Sequence, residues 1–223
     1  MAGILFFDIR GFSSHRQYLA EQSKATMLTA LVKMMLNSAS RIARECQRRI
    51  GLPDLPWMNH TGDGFILVFH GSLGSPAALL FASLYREAAK EIFDPYNREV
   101  ETLLPDNRLS KLDWGMGIHD GGAMPFPYQD VDGKQRVGFI GSALNLASRV
   151  EATTKDHTFH VICTSSACKR LYDAIKPANR SQAKNYFTPL GKHKLRGIES
   201  PVALFGCKTH LHQYLKAEIL DSY

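Results

Sequence analysis

The chain has 223 residues, of which 44% are hydrophobic and 22% are charged. This composition fits an ordinary globular protein, and we expect one domain over residues 1–223, with a core of about 1–207 and a short tail over 208–223. The formal net charge of +6 suits a phosphate-rich ligand. The basic residues are scattered and form no aromatic and basic stripe, which argues against a nucleic-acid partner.

Targeting and membrane signals are missing from the sequence. A predicted strand begins within a few residues of Met1 and leaves no room for a signal peptide. No apolar run approaches the roughly 18 residues of a membrane helix. The four cysteines form no CxxC pair, which argues for a reducing compartment and against a disulfide framework or a zinc site. We therefore expect a cytoplasmic protein with no membrane partner.

The first predicted element is a buried strand over residues 4–7, and Asp8 stands where it ends. Gly11 then turns the chain, and Ser13 or Ser14 can cap a helix that the apolar spacing predicts over residues 17–49. A strand-end acid followed by a glycine turn and a helix start can hold a metal beside a phosphate. Ordinary turn chemistry explains the same residues when this stretch is taken alone.

A predicted hairpin follows, with strands over residues 55–60 and 65–69 joined by Thr61-Gly62-Asp63-Gly64. Asp63 lies at its tip. A sheet that placed the Asp8 strand beside this hairpin would bring both carboxylates together. Two carboxylates without nitrogen or sulfur ligands suit Mg²⁺ or Mn²⁺ bound jointly with substrate phosphates.

The sequence pattern in the middle of the chain predicts a helix, a loop and three strands. Ser75-Pro76 is typical of a helix start, and the helix is expected to end near Phe93. Residues 94–107 are expected to form a loop or a frayed helix extension. Strands over 112–119 and 122–128 are expected to pair with each other, and a further strand covers 136–140.

A helix after Gly141 places Asn145 and Arg149 on one face, four residues apart. Strands near residues 159–164, 186–190 and 202–207 follow, with a basic hairpin over 192–197. For the pairs His157 and His160, and His210 and His212, we expect no partner acid or cysteine nearby. We therefore expect them to be surface histidines and not metal ligands.

With these motifs in order, the chain resembles the catalytic domain of the class III nucleotidyl cyclases. The resemblance spans residues 6 to about 207 and rests on five segments. They are Phe7-Asp8-Ile9-Arg10-Gly11-Phe12-Ser13, Thr61-Gly62-Asp63-Gly64-Phe65, Gly115-Met116-Gly117-Ile118-His119, Gly141-Ser142-Ala143-Leu144-Asn145-Leu146-Ala147-Ser148-Arg149 and Leu195-Arg196-Gly197-Ile198-Glu199-Ser200-Pro201-Val202.

The resemblance implies an α+β fold with a ferredoxin-like βαββαβ core and a head-to-tail homodimer with two composite sites. It also implies that the ribose 3′-hydroxyl of a nucleoside triphosphate attacks its own α-phosphate and expels pyrophosphate. By the same resemblance, two Mg²⁺ or Mn²⁺ ions would bind Asp8, Asp63 and the Ile9 carbonyl.

The resemblance also assigns roles to the remaining site residues. The backbone of Arg10, Gly11, Phe12 and Ser13 would cradle the phosphates. From the partner subunit, Asn145 would orient the ribose and Arg149 would neutralise charge on the α-phosphate. Arg196, with Lys194 as a near alternative, would meet the terminal phosphates.

The base-selecting positions differ from those of the best-known members. Adenylyl cyclases carry Lys and Asp there, and guanylyl cyclases carry Glu and Cys or a similar small polar residue, whereas this chain has Asn59 and Gly138. Trp57 lies two residues before Asn59 and would point to the same strand face, where it could narrow a base pocket or belong to the core.

A cyclase domain without the purine set looks most like the bacterial Pycsar pyrimidine cyclases, which make cyclic UMP or cyclic CMP to activate a separate anti-phage effector. That group's Arg/Tyr-x-x-Trp motif is not matched, because Asp54 and Lys111 stand three residues before Trp57 and Trp114. We favour UTP as substrate, with an adenylate or guanylate cyclase as the alternative. An inactive nucleotide-binding homologue is disfavoured because Asp8, Asp63, Asn145 and Arg149 are all kept.

Overall fold

The computed structural model describes residues 1–103, 109–215 and 220. Most of the expected tail after residue 215, and residues 104–107 of the expected loop, lie outside the described residues. No helix in the described part of the chain is both long and apolar enough to cross a membrane.

Within the described residues, nine strands are organised in two sheets. They are β1 (Ala2–Arg10), β2 (Trp57–His60), β3 (Gly64–His70), β4 (Asp113–Gly121), β5 (Met124–Gln129), β6 (Gln135–Ile140), β7 (Val161–Thr164), β8 (Phe187–His193) and β9 (Val202–Cys207). Seven of these strands form one sheet in the order β2-β3-β1-β4-β7-β9-β8, and β5 and β6 pair as a separate two-stranded sheet. β1 is antiparallel to both of its neighbours, and β4 is parallel to β7.

Helices flank the larger sheet on both faces. They are α1 (Phe12–Glu21), α2 (Ala25–Ile50), α3 (Gly74–Leu103), α4 (Ser142–Ala152), α5 (Ser165–Ala174), α6 (Arg180–Lys184) and α7 (Leu211–Tyr214). The order β1, α1 and α2, β2, β3, α3, β4 is the predicted βαββαβ core. The sequence therefore predicted the α+β fold class correctly.

The side chains of β1 alternate between the two faces of the large sheet, and an apolar layer covers each face. Leu5 and Phe7 point into the main core, which also contains the buried faces of α2, α3 and α5, and the Phe7 and Phe65 rings stack with centroids 4.8 Å apart. Ala2 and Ile4 point to the other face and pack with Ala147 of α4. Because strand side chains alternate, Asp8 lies on the α4 face.

Two predicted helix boundaries are wrong. The helix expected over residues 17–49 is two helices, and the break falls at residues 22–24, where Ser23 has a φ of 57°. The helix expected to end near Phe93 continues to Leu103 through Pro95. Proline removes only one backbone donor, and Pro95 is exposed, so packing of the surrounding helix outweighs the local preference.

The predicted pairing of the strands around residues 119–122 is also wrong. β4 lies inside the large sheet between β1 and β7, whereas β5 pairs with β6. Gly121 and Gly122 have the composition of a hairpin turn, but in the structure they lead from β4 in the large sheet to β5 in the small sheet. The glycine pattern could not distinguish these two outcomes.

Glycines on β4 let α4 approach the sheet closely. A Cβ added at Gly117 would collide with the Glu151 backbone nitrogen and the Ala147 carbonyl oxygen, and one at Gly121 would lie 2.6 Å from the Ala143 Cβ. The helix backbone therefore rests almost directly on the strand, which leaves no space for even a methyl group.

This close approach predicts that Gly117→Ala destabilises the protein, whereas Gly122→Ala does not. A methyl group at position 117 forces α4 away from β4, and such overpacking costs about 1–3 kcal/mol. Gly122 is a matched control because an added Cβ meets nothing within 4 Å. Urea unfolding of both variants measures the difference, and equal stabilities would contradict the packing argument.

Candidate active site

Asp8 and Asp63 lie side by side at the end of the central strand. The register pairs Asp8 with Gly64, and the Ile9 N–H donates a 3.1 Å hydrogen bond to the Asp63 carbonyl oxygen. Both acids are partly exposed. The sheet thus brings the strand-end acid Asp8 next to the hairpin-tip acid Asp63. This is the arrangement that a metal site shared by the two acids needs.

The two carboxylates repel each other in the protein without a cation. Burial, together with the Asp63 charge, raises the pKa of Asp8 from 3.8 to about 6, although the Ile9 amide and the Arg10 charge act in the opposite direction. Carboxylate oxygens and a backbone carbonyl such as that of Ile9 are ligands that Mg²⁺ and Mn²⁺ accept. The donor set therefore fits the expected divalent cations.

The turn after Asp8 leads into the N-terminus of α1, where the first backbone N–H groups have no acceptor within the helix. Gly11 adopts φ 81° and ψ 0°, a left-handed conformation that favours glycine, and α1 begins at Phe12. No side chain caps this helix end, so the expectation that Ser13 or Ser14 acts as the cap is wrong. An uncapped helix N-terminus is well suited to a phosphate because its amides and dipole both favour an anion.

The Arg10 side chain is held in an ion-pair network and leaves only its backbone for a ligand. Its guanidinium donates a 2.7 Å hydrogen bond to the Asp113 carboxylate and another to the Thr154 hydroxyl. His160 lies 2.9 Å from the other Asp113 oxygen. The network fixes the strand end that leads into the Gly11 turn.

Glu151, which the sequence analysis missed, is a third acid beside Asp8. Its side chain is buried at the end of α4, where it meets Arg10 and Thr154 in the space left free by Gly115. Burial and the Asp8 charge raise the pKa of Glu151 from 4.5 to about 7. One signal was available, because Glu151 continues the spacing of Ala143 and Ala147, the buried stripe of the helix.

Asn145 and Arg149 lie on the opposite, exposed face of α4. Asn145 lines a groove of about 610 Å³, together with Phe6, Ile66 and Phe139, and neither Asp8 nor Asp63 belongs to that lining. One protomer therefore does not bring the Asn–Arg pair and the two metal-binding acids into one closed site. This separation is what a site shared between two subunits requires.

Arg196 and Lys194 occupy the exposed turn between β8 and β9. Leu195 between them is buried in a small cluster with Val150 of α4, Ile162 and Leu204. The turn is thereby anchored to the same helix that carries Arg149. These basic residues lie several strands from Asp8 in the order of the sheet.

The predicted base-selecting residues lie around the edge strand β2 and the β5–β6 hairpin. The Trp57 indole N–H donates a 2.7 Å hydrogen bond to the Val137 carbonyl, and its ring packs edge-on against Phe139. Asn59 is exposed. An added Cβ at Gly138 would lie 2.6 Å from the Phe126 ring, so this ring fills the space of the missing side chain.

Comparison with known proteins gives one curated relative and many structural neighbours. No family model matches the chain. An adenylate cyclase of Anabaena cylindrica is 26% identical over 172 residues, which are 75% of this chain and 30% of that protein. The chain thus spans less than a third of the length of this relative.

The solved structures are nucleotide cyclases. The adenylyl cyclase CyaB from P. aeruginosa has a TM-score of 0.65 at 20% identity and 94% coverage of both chains. The guanylyl cyclase Cya2 has a TM-score of 0.64 at 17% identity, with 97% of this chain and 96% of that chain covered. The guanylate cyclase domain of RhGC from Catenaria anguillulae, solved with GTP, has a TM-score of 0.60 at 13% identity, with 93% of this chain and 96% of that chain covered. The chain has the fold of a class III adenylyl or guanylyl cyclase catalytic domain.

The buried acid predicts a pH-dependent effect of Glu151→Gln on stability. The native pKa of about 7 exceeds the ordinary 4.5, so charged Glu151 disfavours the folded state above pH 7, and this cost disappears as the pH falls toward 4.5. The neutral glutamine should raise the free energy of unfolding by roughly 1–3 kcal/mol at pH 8, and by much less at pH 5.

Urea unfolding of chelator-treated protein at both pH values measures this effect. Glu91→Gln, at an exposed position of α3, is the control and should change stability at neither pH. A loss of stability in Glu151→Gln at pH 8 would contradict the inference that the Glu151 charge is unfavourable.

Proposed function

We propose that the protein converts a nucleoside triphosphate into a 3′,5′-cyclic nucleotide and pyrophosphate. The observation that carries this proposal is the Asp8–Asp63 pair beside the uncapped N-terminus of α1, on a fold shared with nucleotide cyclases. In the reaction the ribose 3′-oxygen forms a bond to the α-phosphorus. The bond from that phosphorus to the bridging oxygen of pyrophosphate breaks, and the hydroxyl proton is released.

The metal-binding half of the site consists of Asp8, Asp63 and the Ile9 carbonyl, which would hold two Mg²⁺ or Mn²⁺ ions. When bound, these ions activate the 3′-oxygen and neutralise the β- and γ-phosphates. The amides of residues 10–13 cradle the triphosphate at the helix N-terminus. The raised pKa of Asp8 supports this assignment, because bound cations would offset the burial and the Asp63 charge that raise it.

The other half of the site binds the ribose and stabilises the transition state. Asn145 orients the ribose, and Arg149 offsets negative charge that grows on the α-phosphate. Arg196, or Lys194 beside it, contacts the terminal phosphates. Because phosphoryl transfer leaves little covalent chemistry for the protein, such positioned charges supply most of the catalysis.

We assign the two halves of each site to different subunits of a head-to-tail homodimer. The exposed position of Asn145 and Arg149 supports this, as does the apolar surface of the β5–β6 hairpin. Met124, Phe126, Tyr128 and Ile140 of that hairpin are all at least 42% exposed. Apolar side chains concentrated on one exposed hairpin are typical of a protein–protein contact.

The proposed substrate is UTP. Asn59 and Gly138 match neither purine-selecting set, and the Phe126 ring over Gly138 narrows the space for a base at this position. The alternative is ATP, because the curated relative and the CyaB neighbour are adenylate cyclases. By its resemblance to Pycsar enzymes, we propose that the cyclic UMP activates a separate cytoplasmic effector in anti-phage signalling.

Assays with Mn²⁺ and each of the four nucleoside triphosphates test the reaction and the base together. We expect cyclic UMP as the main product, and Asp63→Ala should lower its rate at least about 100-fold because the metal site is lost. Asp173→Ala, an exposed acid on α5, should retain full activity.

Each outcome of these assays bears on a different part of the proposal. Cyclic AMP or cyclic GMP as main product would contradict the pyrimidine assignment and leave the cyclase assignment in place. No cyclic product from any triphosphate would contradict the cyclase assignment. Full activity of Asp63→Ala would contradict the metal assignment.

Mixing two inactive variants tests the shared site. Asp8→Ala and Arg149→Ala proteins should each be inactive, yet a heterodimer of the two contains one site with both halves intact. Recovery should approach a quarter of wild-type activity after random exchange of equal amounts, since half of the dimers are mixed and each has one of two sites. An Asp8→Ala and Asp63→Ala mixture is the control without recovery, and differently tagged subunits measure the exchange.

A further inference from the structure

Glu87, His210 and His212 form a cluster outside the segments assigned to the candidate active site. Glu87 belongs to α3, His210 precedes α7, and His212 lies within α7. Among the described residues, this is the one place where three possible metal-ligating atoms of acids, histidines or cysteines lie within 4.8 Å of one another. The expectation that His210 and His212 have no acid nearby is wrong, because α3 supplies one.

The ligand atoms converge on a single point of the surface. The Glu87 Oε1 atom lies 3.8 Å from His210 Nδ1 and 3.6 Å from His212 Nε2. Tetrahedral zinc with bonds of about 2.0–2.1 Å places its ligands about 3.3 Å apart. Small side-chain rotations close the difference, and Glu87 and His210 are exposed and have room to make them.

Backbone and hydroxyl groups already orient the histidines. The Ser83 Oγ atom accepts the His212 backbone N–H at 2.9 Å and lies 3.0 Å from His212 Nδ1, so Nε2 is the nitrogen that faces Glu87. A hydrogen bond to the second ring nitrogen is typical of metal-binding histidines. His210 is one of two described non-glycine residues with positive φ, at 68°. The Gln213 side-chain amide nitrogen is 3.5 Å from His210 Nδ1, the nitrogen that also faces Glu87, so a metal ion bound there replaces this contact.

We propose that Glu87, His210 and His212 bind one zinc-class divalent ion, distinct from the Mg²⁺ or Mn²⁺ proposed at Asp8 and Asp63. Two imidazoles and one carboxylate suit Zn²⁺, Co²⁺ or Ni²⁺, whereas Mg²⁺ prefers oxygen ligands alone. Three protein ligands leave a fourth position for water, as in open zinc sites.

The bound ion joins the segment after β9 to α3. Leu211, Tyr214 and Leu215 of this segment are buried against the main core. A metal bridge from Glu87 to the two histidines stabilises that attachment, because an ion that binds only the folded state shifts unfolding by mass action. At a free zinc concentration of 100 times its dissociation constant, the ratio of folded to unfolded protein rises about 100-fold.

Zinc binding to the full chain tests the site directly. Chelator-treated protein is titrated with Zn²⁺ in excess Mg²⁺, using a competing chromophoric zinc indicator, and its unfolding midpoint is measured with and without Zn²⁺. We expect wild type to bind one more zinc ion than His210→Ala or Glu87→Gln, and zinc to raise its unfolding midpoint. Zinc should not raise the midpoint of either variant.

Two further variants separate this site from other histidines and from the candidate active site. His157→Ala removes one member of a histidine pair with ring centroids 5.2 Å apart at a different place, and should keep the extra zinc ion. Asp63→Ala should keep it too, so the result does not depend on cyclase activity. A four-coordinate Co²⁺ absorption spectrum in wild type that disappears in His210→Ala would identify the ligand set.

Two results would overturn the proposal. One is equal zinc binding by wild type, His210→Ala and Glu87→Gln, because the cluster would then contribute no ligand. The other is loss of the extra ion in Asp63→Ala with retention in His210→Ala. Circular dichroism in the presence of chelator confirms that the exposed substitutions leave the fold intact.

Discussion

The pairing of β1 between β3 and β4 is the constraint on which the candidate active site depends. This register sets Asp8 opposite Gly64 on one side and opposite Gly115 on the other. The first pairing brings the hairpin acid Asp63 alongside, and the second leaves room for Glu151 where a side chain would otherwise stand. A slip of one residue would turn Asp8 into the main core, so the same hydrophobic alternation that builds the sheet also positions the acid.

Electrostatic imbalance is the second property of the site. The Arg10 guanidinium acts on both Asp8 and Glu151 and is also engaged by Asp113, while Asp63 adds a further negative charge beside Asp8. Burial prevents water from stabilising the excess negative charge, which is why protons bind Asp8 and Glu151 more tightly than usual. Divalent cations would supply the missing positive charge, so their binding would relieve the repulsion between the acids.

Local signals predicted the parts of the site that depend on local geometry. Asp8 and Asp63 were predicted as a pair because a strand end and a hairpin tip have recognisable sequences, and the register of β1 and β3 places them close together. Glu151 was missed because its importance comes from contact with a strand more than 30 residues away in the chain, at Gly115. The pairing of β4 was mispredicted because glycine-rich turns such as Gly121-Gly122 do not encode which strand comes next to which.

The contact between α4 and the bare backbone of β4 has a mechanical consequence. Without intervening side chains, the helix cannot slide or roll over the sheet, because interiors at this packing density deform very little. In the proposed dimer, Asn145 and Arg149 are carried on that helix, so they move only when a whole subunit moves. Opening and closing of the catalytic cleft would then require one protomer to rotate as a rigid body relative to the other, with each sheet and its α4 helix moving together.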